Sequence, residues 1–152
     1  FRNSDRMGAV PHHDLEAQLR ERALRVTRPR MAVLEAVETH PHANTEAVIA
    51  ATRKLIPDVS HQAVYDSLRV LTEAGLLRSI KPAGSVARYE TRTSDNHHHV
   101  VCRSCGSIAD VDCAAGDAPC LTASDSHGFV IDEAEVIYWG LCPACSAAPA
   151  RR

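Results

Sequence analysis

The chain has 152 residues, of which 45% are hydrophobic and 24% charged, and its formal net charge is −2. This length allows one domain or two small ones with a buried core, and the composition is that of an ordinary soluble globular protein. No apolar run is long enough to span a membrane and no signal-peptide block is found, so a cytoplasmic protein is expected. Residues 1–13 are predicted to form a tail that is disordered or left over from cloning.

Four helices are predicted between residues 14 and 75, each preceded by a residue that can cap or start a helix. These residues are Asp14, Thr27 with Pro29, Asn44 and Ser60. The fourth helix has an apolar stripe of Val64, Leu68 and Leu71 at positions i, i+4 and i+7. Gly75 is expected to end this helix.

Two short β-segments follow at residues 76–80 and 86–91, joined by a turn rich in Pro, Gly and Ser. Helices, a short turn, a further helix and a two-stranded ribbon, in this order, are typical of a winged helix-turn-helix domain. The sequence therefore predicts such a domain over residues 14–91.

A polar stretch at residues 92–96 is the predicted hinge to a second, dimerisation domain over residues 97–146. The elements expected beyond the hinge are paired strands at 99–102 and 108–111, a helix at 117–127, a β-rich run at 129–141 suited to a sheet shared between subunits, and a flexible tail at 147–152. The predicted fold class is α+β, with an N-terminal winged helix-turn-helix domain followed by a small α/β domain that holds a structural zinc.

Charge is distributed unevenly between the two halves. Residues 1–92 carry 14 Lys or Arg against 11 Asp or Glu, whereas residues 93–152 carry 3 against 8. A basic half beside an acidic half rich in His and Cys indicates one part that binds a polyanion and one part that binds cations. Chance on two solvated surfaces would give the same balance.

Two Cys-x-x-Cys pairs, Cys102 with Cys105 and Cys142 with Cys145, have the spacing of a structural Zn²⁺ site. A two-residue gap lets both sulfurs of a pair face one metal, and thiols in a reducing cytoplasm bind metals rather than form disulfides. The alternative is a redox dithiol or an accidental spacing. Cys113 and Cys120 fall outside the pairs and are expected to be buried or semi-buried thiols.

The fourth helix is the candidate DNA-recognition helix. Opposite its apolar stripe it carries His61, Tyr65 and Arg69 at positions i, i+4 and i+8, with Gln62 beside them. Such side chains can contact base edges or phosphates. Further candidate contacts to the DNA backbone are Arg25, Arg28, Arg30 and Lys81. The alternative is an ordinary solvated helix face.

Several motifs occur in order between residues 15 and 146. They are Arg25-Val26-Thr27-Arg28-Pro29-Arg30, His40-Pro41-His42-Ala43, Ser60-His61-Gln62-Ala63-Val64-Tyr65, Leu71-Thr72-Glu73-Ala74-Gly75-Leu76, Arg88-Tyr89-Glu90, the run His97-His98-His99, and the two cysteine pairs. With these motifs at these separations, the chain resembles the ferric uptake regulator (Fur) family of metal-dependent bacterial repressors. The block from Asp132 to Gly140 resembles the actinobacterial branch that is linked to iron and catalase-peroxidase control.

The resemblance implies two metal sites. The structural zinc would be held by the four paired cysteines, and a regulatory metal at the hinge would be held by His40, Glu90, His97, His99 and Asp110. Three imidazoles and two carboxylates suit Fe²⁺ or Mn²⁺ and would also accept Zn²⁺ or Co²⁺. A third site found in some members is not expected, because Ala134 stands where those members have a histidine.

The predicted function is that of a metal-responsive repressor that binds double-stranded operator DNA as a homodimer and controls iron or oxidative-stress genes. No enzyme is predicted, because no nucleophile–base arrangement stands out. One alternative is a peroxide sensor in which iron-catalysed oxidation modifies a ligand histidine. Alternatives of other classes are a zinc-stabilised thiol oxidoreductase and a metal carrier, which would leave Tyr65 and Arg69 without a use.

Overall fold

The computed structural model describes residues 12–113 and 121–147, and the chain divides into two compact units. The first unit takes the residues up to Ile80 together with Ala87–Thr93, and the second takes Lys81–Val86 and the residues from Ser94 onward. Helices dominate the first unit and strands the second. The predicted α+β class is therefore confirmed.

The first unit consists of four helices and a small antiparallel sheet. Its elements are α1 (His12–Glu21), α2 (Arg28–Thr39), β1 (Ala43–Asn44), α3 (Thr45–Leu55), α4 (His61–Glu73), β2 (Arg78–Ile80) and β3 (Arg88–Glu90). The strand order is β1-β3-β2, with Ser79 and Ala43 both opposite Tyr89. This is the predicted winged-helix layout, with one short strand, β1, that the sequence pattern did not indicate.

The helix starts follow the predicted capping chemistry. Thr27, Asn44 and Ser60 each have an extended backbone and accept a hydrogen bond from an amide three residues later. At the end of α4, Gly75 has a φ of +73°, which an L side chain rarely adopts. These caps fix where α2, α3 and α4 begin and so set the direction of the candidate recognition helix.

The core of the first unit lies between the helices. The predicted stripe of Val64, Leu68 and Leu71 is buried and packs with residues of α1, α2 and α3. The partners with the smallest exposure are Leu15, Leu19, Val33, Leu34, Val37 and Val48. Burial of this stripe leaves the opposite face of α4 exposed to solvent.

One predicted helix start is wrong. The first helix begins at His12, so Asp14 is an internal residue of α1 and cannot be its N-cap. Residues 12 and 13 of the predicted tail belong to α1, and residues 1–11 lie outside the described part of the chain, so the extent of the tail stays a prediction.

The second unit is built around the central strand of a three-stranded sheet. Its elements are β4 (His97–Cys102), β5 (Ile108–Asp112), β6 (Ile137–Gly140) and α5 (Pro143–Ala147). Strand β4 pairs with β5 antiparallel and with β6 parallel. The predicted pairing of 99–102 with 108–111 is confirmed. Among the described residues from Ser94 onward, the buried hydrophobic side chains are Val101 and Cys102, so the apolar core around this sheet is small.

Two predictions for the second unit need correction. Residues 121–127 form bends and a turn rather than the end of a helix, while 114–120 lie outside the described residues. Of the β-rich run 129–141, only Ile137–Gly140 is a strand, because only this part pairs with β4. Residues 148–152 of the predicted tail also lie outside the described part. The hinge at 92–96 and the other domain boundaries stay predictions.

Within residues 12–113 and 121–147, no helix is both long and apolar enough to cross a lipid bilayer.

Truncation of Leu68 tests the packing of α4. Leu68 is 2% exposed, whereas Leu55 on α3 is 43% exposed. We expect Leu68→Ala to lower the free energy of unfolding by about 2–5 kcal/mol, because it leaves a cavity in the core. The control Leu55→Ala should change it by less than about 0.5 kcal/mol. Urea denaturation followed by circular dichroism measures both, and equal losses would contradict the assigned core.

Candidate metal centres and nucleic-acid interface

Four cysteine sulfurs of the second unit form one cluster. Cys102 ends β4, Cys105 closes the turn that follows, and Cys142 and Cys145 flank the start of α5. The four Sγ atoms all lie within 4.8 Å of one another, and those of Cys105 and Cys142 are 3.7 Å apart. A tetrahedral site with Zn–S bonds of about 2.3 Å requires sulfurs about 3.8 Å apart. The donor set therefore fits a structural zinc.

Backbone amides and neighbouring thiols set the pKa values of these cysteines. The amides of Cys105 and Cys142 lower the pKa of Cys102 to about 6. The amide of Cys145 likewise lowers the pKa of Cys142. A hydrogen bond with Ser104 acts to lower the pKa of Cys145, but the three other sulfurs raise it to about 12. The neighbouring sulfurs thus disfavour a fourth thiolate at Cys145, and a bound cation would relieve this repulsion.

A cation–π contact connects the first cysteine turn to the sheet. The Arg103 guanidinium carbon lies 5.1 Å from the centre of the Trp139 ring, and the Arg103 amide donates to the Gly140 carbonyl at 2.8 Å. Since Trp139 is the only tryptophan of the chain, its fluorescence reports on the state of this turn.

A second cluster lies on the β4–β5 pair. In this register His99 is opposite Asp110, and His97 and His99 share a strand face because they are two residues apart. Their Nε2 atoms lie 3.9 and 3.7 Å from Asp110 Oδ1, respectively. Both rings are buried, with centroids 4.9 Å apart. Three ligand-type side chains of the predicted regulatory site are thus brought together within the second unit.

Asp95 orients one of these histidines. Its Oδ1 lies 2.8 Å from His97 Nδ1, so the Nε2 atom of that ring points toward Asp110. A carboxylate on the far nitrogen fixes the tautomer of a metal-binding imidazole and raises its basicity. Sequence reasoning missed Asp95, although its place two residues before the histidine run is the one available signal.

The first unit contributes a further pair of ligand-type side chains. Glu90, on β3, is 1% exposed, and its Oε2 atom lies 3.1 Å from His42 Nε2. His42 has a φ of +64°, and its amide donates to the Tyr89 carbonyl at 2.8 Å. The left-handed turn and this hydrogen bond together direct the His42 ring toward Glu90.

The structure places His42, rather than the predicted His40, beside Glu90. The His40 Nδ1 atom instead lies 3.2 Å from the Ala36 carbonyl at the end of α2. Sequence reasoning chose the first histidine of His40-Pro41-His42 because the family motif pointed to it. The backbone turn that reverses this order is not visible in the sequence.

The predicted DNA-contacting residues are found on exposed surfaces. On α4, His61, Gln62, Tyr65 and Arg69 are exposed. A groove of about 570 Å³ runs between this helix and strands β2 and β3 of the same unit. Arg25 and Arg28 are exposed around the start of α2, and Arg30 donates from Nη1 to the Arg25 carbonyl at 2.7 Å. Lys81 is exposed in the loop after β2 and groups with the second unit.

Within residues 12–113 and 121–147, the other candidate metal ligands do not form a third cluster. Cys113 follows β5 and is not part of the four-sulfur cluster, while Cys120 lies outside the described residues. His98 is buried on β4, and Ala134 occupies the position of the missing late histidine.

Replacement of one clustered cysteine tests the zinc site. We expect Cys105→Ser to reduce bound zinc from about one per chain to near zero and to unfold the second unit, because its apolar core is small. Cys113→Ser is the matched control and should retain the metal. Elemental analysis gives the zinc content, and Trp139 fluorescence follows the unfolding. Zinc loss in the control but not in Cys105→Ser would contradict the assignment.

Comparisons with known proteins agree with this architecture. The family model described as the ferric uptake regulator family matches residues 21–139. The chain is 66% identical over 146 residues to the transcriptional regulator FurA of Mycobacterium tuberculosis, covering 96% of this chain and 98% of that protein. It is 71% identical over 126 residues to ferric uptake regulation protein 1 of Mycolicibacterium fortuitum, covering 83% and 78%.

A solved structure extends the similarity to the fold. The ferric uptake regulator Fur of Helicobacter pylori superposes with a TM-score of 0.67 at 15% identity, covering 93% of this chain and 98% of that one. At such identity the likeness shows the fold alone. The family model and the mycobacterial relatives show more, and they confirm both the resemblance and its actinobacterial branch. This chain therefore belongs to the ferric uptake regulator family.

Proposed function

We propose that the chain is a metal-responsive transcriptional repressor that binds operator DNA as a homodimer in the cytoplasm. The M. tuberculosis relative, 66% identical over almost the whole chain, is named a transcriptional regulator. The observation that carries the proposal is the β4–β5 register, which gathers His97, His99 and Asp110 beside the orienting carboxylate of Asp95. Two buried imidazoles and a carboxylate on one side of a strand pair form a donor set that suits a divalent cation.

The proposed regulatory ligands are His42 and Glu90 from the first unit and His97, His99 and Asp110 from the second. Fe²⁺ and Mn²⁺ accept mixed nitrogen and oxygen shells of five or six ligands. Neither unit offers more than three of these donors, so a full shell requires both units. When bound, the cation would bridge them. Glu90 supplies the negative charge on one side and Asp110 the negative charge on the other.

Bridging would couple metal binding to DNA binding. The donors of the two units can share one ion only in arrangements that bring them together, so the loaded protein populates fewer arrangements of α4. If those arrangements bind DNA better, the DNA must in turn tighten metal binding by the same factor, typically about 5–150-fold. This reciprocity distinguishes a regulator from a metal carrier.

Dimerisation is proposed through the apolar residues near the end of the chain. Val130 is 96% exposed, and Phe129, Tyr138 and Leu141 are also exposed. Several large apolar side chains exposed within one segment of a small protein favour an interaction surface there. A second copy of the chain offers the same surface, as a two-fold interface requires. Two copies would present two α4 helices to a pair of DNA half-sites.

Removal of the His99 ring tests the proposed function directly. A DNA duplex enriched by the Mn²⁺-loaded protein from a random library serves as the probe, without oxygen. Wild type should bind it about 5–150-fold more tightly with Mn²⁺ than without. His99→Ala should abolish this gain while leaving the zinc content unchanged. The control His127→Ala removes an exposed ring that contacts only Asp125 among the described ion pairs, and should keep the gain. Fluorescence anisotropy measures the affinities, and no metal effect in wild type would refute the proposal.

The choice between two neighbouring histidines is tested by Mn²⁺ titration calorimetry. We expect His42→Ala to weaken Mn²⁺ binding at least about 10-fold, because the ring beside Glu90 is lost. His40→Ala should change the affinity little, because its ring faces the end of α2. The opposite order would assign the ligand to His40, as the sequence motif predicts.

A further inference from the structure

On the exposed face of α4, two acidic side chains accept hydrogen bonds from Arg69 and Gln62, which are candidate DNA-contacting residues. Arg69 Nη1 contacts both carboxylate oxygens of Glu73 at 3.1 Å. Two turns earlier, Gln62 Nε2 donates to Asp66 Oδ1 at 3.0 Å. All four side chains line the groove between α4 and strands β2 and β3. Arg69 and Gln62 are therefore already paired within the helix.

The acids also determine the charge of the helix. Helix α4 contains one arginine, Arg69, against Asp66 and Glu73, so its side chains sum to about −1 when its histidine is neutral. Non-specific DNA binding comes almost entirely from cations that neutralise phosphates. A helix with this charge gains nothing from phosphates in general and is repelled by them.

We propose that Glu73, with Asp66 in support, is a specificity-determining residue. Glu73 keeps the Arg69 guanidinium paired on the helix, except where a base edge takes the place of the Glu73 carboxylate as the hydrogen-bond acceptor. This role depends on the proposed function, since it requires that α4 reads DNA. In each of the two pairs the partners are solvent-exposed and four residues apart, and such pairs open easily.

Guanine is the base expected to open the Arg69–Glu73 pair. Its O6 and N7 atoms accept two hydrogen bonds from one guanidinium, which reproduces the two-oxygen contact made by Glu73. The released carboxylate can accept from the N4 amino group of a cytosine. A lone phosphate cannot offer Glu73 such a partner and leaves its charge facing the DNA. Matched sequences are therefore favoured over random ones.

Glu73→Gln tests this role with two probes. One is a duplex enriched from a random library by the Mn²⁺-loaded wild type, and the other is a shuffled duplex of the same composition. We expect the variant to bind the shuffled duplex about 5–10-fold more tightly, with the salt dependence steeper by about 0.9 logarithmic units for each subunit, because each freed Arg69 can contact one more phosphate. Affinity for the enriched duplex should change by less than about threefold, so the ratio of affinities falls.

Two further variants complete the test: one is a matched control for the lost charge, and the other removes the Arg69 guanidinium itself. Glu16→Gln removes the same charge from an exposed pair of the same kind, Arg20 with Glu16 at 2.8 Å on α1, and should leave the ratio unchanged. Arg69→Ala should weaken binding to the enriched duplex about 10-fold while changing the shuffled duplex by less than about threefold, because Arg69 is held by Glu73 on random DNA. Circular dichroism checks that each variant is folded.

The outcomes separate this role from the proposed function. A wild-type chain that enriches no sequence would overturn the proposed function, and the role of Glu73 with it. If wild type discriminates but Glu73→Gln keeps the affinity ratio, or behaves as Glu16→Gln does, the role of Glu73 is overturned and the proposed function stands.

Discussion

Strand β4 carries both metal chemistries, and its hydrogen bonding to β5 and β6 is the constraint on which the second unit depends. Its first half holds His97 and His99 opposite Asp110, and its last residue is the zinc-type ligand Cys102. Ligands of both sites, His97 and His99 of one and Cys102 of the other, therefore lie on a single strand of six residues. A change of one residue in the β4–β5 register would turn the histidines to the other face and separate them from Asp110.

The small apolar core of the second unit explains why the cysteine cluster matters for more than local geometry. Sheet hydrogen bonds and two buried apolar side chains are a weak basis for a stable fold. A structural zinc adds covalent-like cross-links between the end of β4 and α5. A stable second unit is in turn what holds the buried His97 and His99 rings in place beside Asp110. Removal of the zinc is thus expected to weaken binding of the regulatory metal indirectly, because it lowers the stability of the second unit.

The first unit is stabilised differently from the second, because its helices form an extensive apolar core and capping residues fix where the helices begin. This rigid support leaves one face of α4 free to present polar side chains. On that face the cations are matched or exceeded by acids, so attraction to phosphate is restrained. Selective recognition by such a helix would then depend on exchange of partners, with base edges replacing the carboxylates of Glu73 and Asp66. Control by metal would therefore draw on ligands of both units, whereas selectivity for sequence is assigned to α4 of the first unit alone.

Local chemistry was sufficient to predict much of this protein from its sequence. The caps Thr27, Asn44 and Ser60, the stripe of Val64, Leu68 and Leu71, and the two cysteine pairs depend on residues close together in the chain, and their spacing fixes their geometry. Contacts between distant segments were decided only by the tertiary structure. The left-handed turn at His42 and its hydrogen bond to Tyr89 chose His42 over His40 as the neighbour of Glu90. Pairing with β4 chose Ile137–Gly140 out of a longer β-prone run, because a strand exists only where a partner strand satisfies its backbone.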